Sequence, residues 1–203
     1  MKPINLEGKD VFPSKIVCIG RNYVDHIKEL GNEVPTEPVI FLKPNSAISE
    51  TIYSNEVEPV HYEGEITFLV LSGRLAAGGF GLDLTKRDLQ SRLKAKGLPW
   101  ERSKAFDGAA IFSGFVSCPL DLSRLGLELW INEQLVQRGG YELMINKPEA
   151  ILEETSGFLS FEDADLIMTG TPAGVGVVNR GDRFTGRVFD GDSLLVEASW
   201  VVR

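Results

Sequence analysis

Three carboxylates, Glu63, Glu65 and Asp83, are the residues of this 203-residue chain whose types and spacing most directly suggest chemistry. The first two lie in His61-Tyr62-Glu63-Gly64-Glu65-Ile66-Thr67-Phe68-Leu69-Val70, a run that reads as a β-strand. Alternate residues of a strand point to one face, so Glu63 and Glu65 aim side by side. Asp83 follows a second apolar segment, Gly79-Phe80-Gly81-Leu82, and can be brought opposite them. Crowded carboxylates repel one another unless a cation lies between them. Oxygen-only ligation selects a hard divalent ion, Mg²⁺, Mn²⁺ or Ca²⁺. The bland alternative is a solvent-facing edge strand with Asp83 capping a turn, since Glu-x-Glu alone is a common pattern.

Other residues are weighed the same way. His26 and Glu29 are three apart on a predicted first helix, close enough to hydrogen-bond. A carboxylate beside imidazole orients the ring and raises its basicity, as a general base acting on water requires. Taken alone, the pair reads equally as a solvated helix surface. The preceding Gly20-Arg21-Asn22-Tyr23 adds a cation and a tight turn at the same place. Lys104 is an ordinary surface lysine unless it lies near the metal, where its charge can stabilise an enolate or carboxylate. Arg87 and Gln90 are three apart on a second predicted helix and can bind substrate oxygens, or simply face solvent. Thr169-Gly170-Thr171-Pro172 offers hydroxyls and amides for a carboxylate, or is a β-turn. Gly174-Val175-Gly176 opens no helix after a strand, so it is no dinucleotide loop. With two histidines and no paired cysteines, zinc is disfavoured.

The elements that must position these groups are short. Lys15 to Ile19 reads as a strand ending at Gly20. Asn22 is placed to cap a helix that stops at Gly31. Val39 to Leu42 and Glu65 to Leu71 read as strands, the latter followed by a Gly- and Ala-rich turn. Thr85 and Asp88 form a capping-box start for a helix over about 86–96, ended by Gly97 and Pro99. Leu127–Ile131 and Leu135–Gln137 form a hairpin around Asn132-Glu133. Pro148 opens a helix that Gly157 closes. Asp165 to Thr169 is a buried-type strand, and Arg183–Phe189 pairs with Ser193–Val202 through Asp190-Gly191. The pattern predicts one β-dominated α+β domain over residues 1–203. Strands do not alternate regularly with long helices, which argues against a doubly wound sheet.

Composition is that of a folded protein, 43% hydrophobic and 25% charged. A formal net charge of −8 argues against general binding to nucleic acid or anionic membranes. No apolar run is long enough to span a bilayer, and no basic–apolar leader is present. Cys18 and Cys118 read as reduced thiols. A cytoplasmic enzyme is the expectation.

Taken together and in order, several segments resemble the fumarylacetoacetate hydrolase family. They are Gly20-Arg21-Asn22-Tyr23, Asp25-His26 with Glu29, Phe41-Leu42-Lys43-Pro44, Tyr62-Glu63-Gly64-Glu65 and Leu82 to Asp88. Lys96-Gly97-Leu98-Pro99-Trp100, Lys104-Ala105-Phe106 and the stretch Leu166 to Gly176 complete the set. The likeness runs from about Ile16 to the C-terminus and is nearest to the small single-domain members with acylpyruvase and oxaloacetate decarboxylase activity. It implies a mixed, rolled β-sheet of sandwich-like form with short helices, in a homodimer. It implies that Glu63, Glu65 and Asp83 bind Mg²⁺ or Mn²⁺, with Ca²⁺ as a substitute. It also implies that His26 and Glu29 are a water-activating dyad and Lys104 an enolate-stabilising lysine. Arg21, Arg87, Gln90 and Thr171 would contact the substrate.

The implied activity is metal-dependent hydrolysis of acylpyruvates or decarboxylation of oxaloacetate, both passing through the enolate of a 2-oxo acid. Keto–enol tautomerisation of oxaloacetate, and isomerisation or decarboxylation of a 2-hydroxyhepta-diene-dioate, share that intermediate and stay open. A non-catalytic metabolite-binding protein is the reading from another class; such a protein would not need a water-activating dyad. The first helix is short enough to be marginal alone and is expected to act as a lid over residues 23–33.

Overall fold

The computed structural model describes residues 1–31, 33–118 and 121–203. Alternation along Gly64–Leu71 organises the fold, since this strand is buried almost throughout and so must be covered on both faces. Ile66 and Phe68 point one way, together with Phe80 and Leu82 of the antiparallel neighbour Arg74–Asp83. They pack against Leu127, Leu129, Phe184 and Val188 of a second, four-stranded antiparallel sheet. That sheet runs in the order Gln134–Gly140, Leu125–Ile131, Arg183–Asp190, Ser193–Val201. Leu69 faces the other way, with Ile16, Cys18, Leu166 and Met168, beneath Ile4 and Phe115.

The large sheet is mixed. Its order is Val39–Pro44, Lys15–Gly20, Leu166–Met168, Gly64–Leu71, Arg74–Asp83, Ala110–Phe112, with Val116–Ser117 also paired to Arg74–Asp83. Leu166–Met168 lies parallel to Lys15–Gly20 and antiparallel to Gly64–Leu71. Helix Pro148–Ser156 covers Val17, Ile19 and Ile167 through Ile151. Strands make up 42% of the chain and helices 18%, which makes this a β-dominated α+β fold with a curled sheet.

Four local expectations are corrected. The Gly- and Ala-rich segment after Leu71 is not a turn but the first half of Arg74–Asp83, and the turn is confined to Ser72-Gly73. Small residues are needed further along the strand, at Gly79 and Gly81, because neighbours press on it. A Cβ on Gly81 would lie 2.4 Å from the Thr67 hydroxyl and 3.0 Å from Met168 Cε. The run 61–70 is split at Glu63: His61–Tyr62 pairs with Gly176–Val177, and Gly64–Leu71 begins afresh in the large sheet. Asn22 caps no helix; the helix is Val24–Glu29, and the buried Asn22 amide instead donates to the carbonyls of Asn146 and Thr169. Thr85 does not cap helix Arg87–Ala95, because its hydroxyl turns inward to the Asp83 carbonyl. The hairpin at Asn132-Glu133 and helix Pro148–Ser156 form where the pattern placed them. No helix is long and apolar enough to cross a membrane, and both cysteines are free thiols.

Candidate active site

The site is assembled where the large sheet's strands end. Gly64–Leu71 presents Glu65, the link before it presents Glu63, and the end of Arg74–Asp83 presents Asp83. One carboxylate oxygen from each lies within 4.8 Å of the others, and all three residues are buried. Two lysines answer this charge. Lys104, at the end of the short helix Glu101–Lys104, lies 2.9 Å from Glu63 Oε2 and 2.6 Å from Asp83 Oδ2, and donates to Thr85 Oγ1. Lys43 is 0% exposed, with its ammonium 2.8 Å from Asp83 Oδ1 and donating to the carbonyls of Leu84 and Lys104. Phe41, two residues before Lys43 on the same strand, lays its ring 5.0 Å from the Lys104 ammonium. Arg87 forms an ion pair with Glu63 and donates to Gln90 Oε1 at 3.0 Å.

Glu65 differs from its neighbours. Its Oε2 accepts the Gly170 N–H at 2.8 Å, and no cation among the described residues pairs with it. Burial, together with Asp83 and Glu63 beside it, pushes its carboxyl well above the ordinary range. For Glu63 burial acts in the same direction, but Lys104, Arg87 and His26 outweigh it and hold the carboxyl well below. Burial alone would lower Lys104, yet Asp83 and Glu63 raise it, so its ammonium form is favoured. A buried, uncompensated carboxylate beside two others fits a hard divalent cation, because all three donors are oxygens at one point.

The turn after Leu166–Met168 positions Glu65. Gly170 has φ 89°, and a Cβ there would meet Asn22 Cβ at 2.7 Å, so only glycine lets the amide approach. Thus the Gly170 N–H, read from sequence as a possible anchor for a substrate carboxylate, holds a protein carboxylate instead. The Thr171 hydroxyl donates to the Gly64 carbonyl and accepts from the buried Gln137 amide. Gln137 also accepts the Gly64 N–H at 2.9 Å, tying the second sheet to the strand that carries Glu65.

On the other side, His26 is buried with its Nδ1 3.2 Å from Glu29 Oε2. The other Glu29 oxygen accepts the Gly174 N–H at 3.0 Å. With Nδ1 as the donor, the Nε2 lone pair is the one left for proton transfer. Among the residues lining the adjoining cavity are His26, Glu63, Glu65, Arg87 and Gln90. Arg21, Lys104 and Thr171 line it too, so every sequence-selected site residue except Asp83 and Glu29 borders one space. Asp83 lies behind Lys104, and Glu29 behind His26. Lys43, Gln137 and Lys94 were not singled out from sequence. Only Lys94 left a usable signal: with Arg87 and Gln90 it forms a 3–4 spacing on one helix face.

The chain matches the family described as Fumarylacetoacetate (FAA) hydrolase C-terminal over residues 15–77 and 79–200. It is 38% identical to the oxaloacetate tautomerase YcgM of Escherichia coli, covering 89% of this chain and 90% of that protein. It is 37% identical to a mitochondrial oxaloacetate decarboxylase of Dictyostelium discoideum, covering 82% and 85%. Among solved structures, the fumarylpyruvate hydrolase of Pseudomonas aeruginosa in complex with Mn²⁺ and pyruvate superimposes with TM-score 0.86 at 29% identity, over 98% of this chain and 95% of that one. Sequence match along nearly the whole length and a shared fold agree, and the chain belongs to the fumarylacetoacetate hydrolase family.

Proposed function

We propose that this protein is a divalent-metal-dependent enzyme that forms the enolate of a small 2-oxo acid, with keto–enol interconversion of oxaloacetate as its principal reaction. One observation carries the reading. Two members of a buried carboxylate trio, a charged lysine and a carboxylate-oriented histidine border one cavity. The names of the curated relatives, which act on oxaloacetate, support the choice of substrate.

Glu63, Glu65 and Asp83 would hold Mg²⁺ or Mn²⁺. Such an ion supplies Lewis acidity that draws electrons from a chelating keto acid. For enolisation His26 takes a proton from substrate carbon at Nε2 and passes it to the substrate oxygen, and for the reverse it takes the enol proton and delivers it to carbon, while Glu29 keeps the ring in the tautomer that leaves Nε2 free. Lys104 stays protonated and sets its positive charge against the negative charge that develops on the substrate oxygen. Arg87 and Gln90 orient substrate oxygens from their common helix face. Arg21 and Thr171 border the same space, where the Thr171 hydroxyl is already committed to its protein partners. The helix carrying His26 closes the cavity and limits water.

A second reading has its own support. The His26–Glu29 pair is also built to deprotonate water, which would attack the distal carbonyl of an acylpyruvate and cleave the carbon–carbon bond. The test is to follow the ultraviolet absorbance of enol-oxaloacetate and of acetylpyruvate with Mn²⁺-loaded protein. Rapid enol loss without pyruvate production supports the principal reading. Faster cleavage of acetylpyruvate than of enol-oxaloacetate turnover would instead favour the hydrolase. A homodimer is proposed from the family resemblance.

A further inference from the structure

One cation that borders the cavity has no carboxylate of its own among the described residues. Arg87 is matched by Glu63, and Lys104 by Glu63 and Asp83. Lys94 also lines the cavity, half-buried, yet it pairs with no carboxylate among the described residues. Its ammonium sits over the Trp100 ring, 4.7 Å from the centroid, and Trp100 in turn packs its ring 6.0 Å from Phe41. The ring holds the ammonium in place without neutralising it. Lys94 follows Arg87 and Gln90 by seven and four residues on helix Arg87–Ala95, so the three lie along one face. Burial, and then Arg21, Arg87 and Lys104, bring the Lys94 ammonium down to about 8.

We propose that Lys94, seated on Trp100, is the specificity-determining residue that binds a second, distal carboxylate, so that the site selects dicarboxylic 2-oxo acids over monocarboxylic ones. This rests on the 2-oxo acid reading above and adds to it. The carboxylate trio and its cation take the 2-oxo acid head, which all candidate substrates share. A cation at a separate place in the cavity is what discriminates among their tails. An apolar acyl tail gains nothing from an ammonium and leaves it partly desolvated, whereas a carboxylate forms a charge-assisted hydrogen bond.

The test compares wild type, Lys94→Met and Lys94→Arg, each loaded with Mn²⁺, by calorimetric titration with oxaloacetate and with pyruvate. These ligands share the head and differ by one carboxylate. Lys94→Met should weaken oxaloacetate binding by about tenfold or more, the effect of one charge-assisted hydrogen bond. Pyruvate binding should be little changed, and Lys94→Arg should retain the preference for oxaloacetate. Equal weakening of both ligands, or unchanged oxaloacetate binding, overturns the proposal. Calorimetry reads affinity rather than rate, so the two readings separate. Intact discrimination with no tautomerase activity would count against the assigned reaction and leave the Lys94 subsite standing. Activity retained in a wild type that binds both ligands equally would do the reverse.

Discussion

Removing the Lys43 ammonium should cost this protein more stability than any other single change at the site. Lys43 is fully enclosed, and its partner Asp83 is 1% exposed, so neither charge can be rescued by water. Their 2.8 Å contact is joined by donation from Lys43 to two backbone carbonyls. Truncating one member of such a buried pair costs about 3–5 kcal/mol; Asp83 keeps Lys104 on Oδ2, so the loss here comes from its buried Oδ1, left without a cation. With a urea dependence of about 2 kcal/mol per molar, Lys43→Met should lower the unfolding midpoint by roughly 1.5–2.5 M in metal-free protein. Asp83→Asn combined with Lys43→Met should recover much of this, since the stranded charge is gone and the two sites are in direct contact. Mn²⁺ should also restore part of the loss in the single variant by supplying positive charge to Asp83. Circular dichroism during urea titration, with and without Mn²⁺, measures all of these. A shift below about 0.5 M, or strictly additive effects of the two substitutions, would refute the pairing argument.

His26→Ala should abolish enol–keto interconversion while leaving Mn²⁺ binding intact; a variant that turns over at the wild-type rate removes His26 from the mechanism. Glu65 supplies a pH signature. In metal-free protein its raised carboxyl contributes stability below the ordinary carboxylate range, and this declines as pH rises through the raised value. Glu63, held low, contributes the opposite dependence: its stability is present above the ordinary value and lost as pH falls through the lowered one. A cation must displace the Glu65 proton, so Mn²⁺ affinity should increase with pH and binding should release protons, measurable by calorimetry in buffers of different ionisation enthalpy. Gly81→Ala should destabilise by about 1–3 kcal/mol in thermal unfolding, since its Cβ would meet Thr67 and Met168; an unchanged melting curve contradicts the close packing. Oxalate with Mg²⁺ should slow amide exchange at Ile27 and Leu30, and equal exchange with and without it would count against a closing helix.

The candidate site residues were legible because their signals are local. His26 and Glu29 sit three apart on one helix, and Glu63 and Glu65 two apart, which brings them together even though the strand breaks at Glu63. The Asn132-Glu133 hairpin was legible for the same reason. What sequence hid depends on distant partners. Lys43 is ordinary until Asp83, 40 positions later, is packed against it. Thr85 and Asn22 both carried valid capping patterns, but tertiary contacts to Lys104 and to Asn146 claimed their side chains. The glycines before Phe80 suggested a turn by composition, whereas Gly79 answers close approach by Ser113, Gly114 and Phe115, which no local window contains. Gln137 was similarly invisible, because its role is to join the Gly64 backbone to the Thr171 hydroxyl across two sheets.

The central claim is that Glu63, Glu65 and Asp83 jointly hold one hard divalent cation on which a 2-oxo acid can be chelated. Anomalous diffraction from crystals grown with Mn²⁺ and oxalate tests it most directly. The account predicts one peak per chain, about 2.0–2.6 Å from an oxygen of each carboxylate, with oxalate beside it and Lys104 displaced from at least one of its present partners. A peak ligated by other residues, or none at saturating Mn²⁺ while the three carboxylates remain bound to Lys43, Lys104 and Arg87, would contradict it.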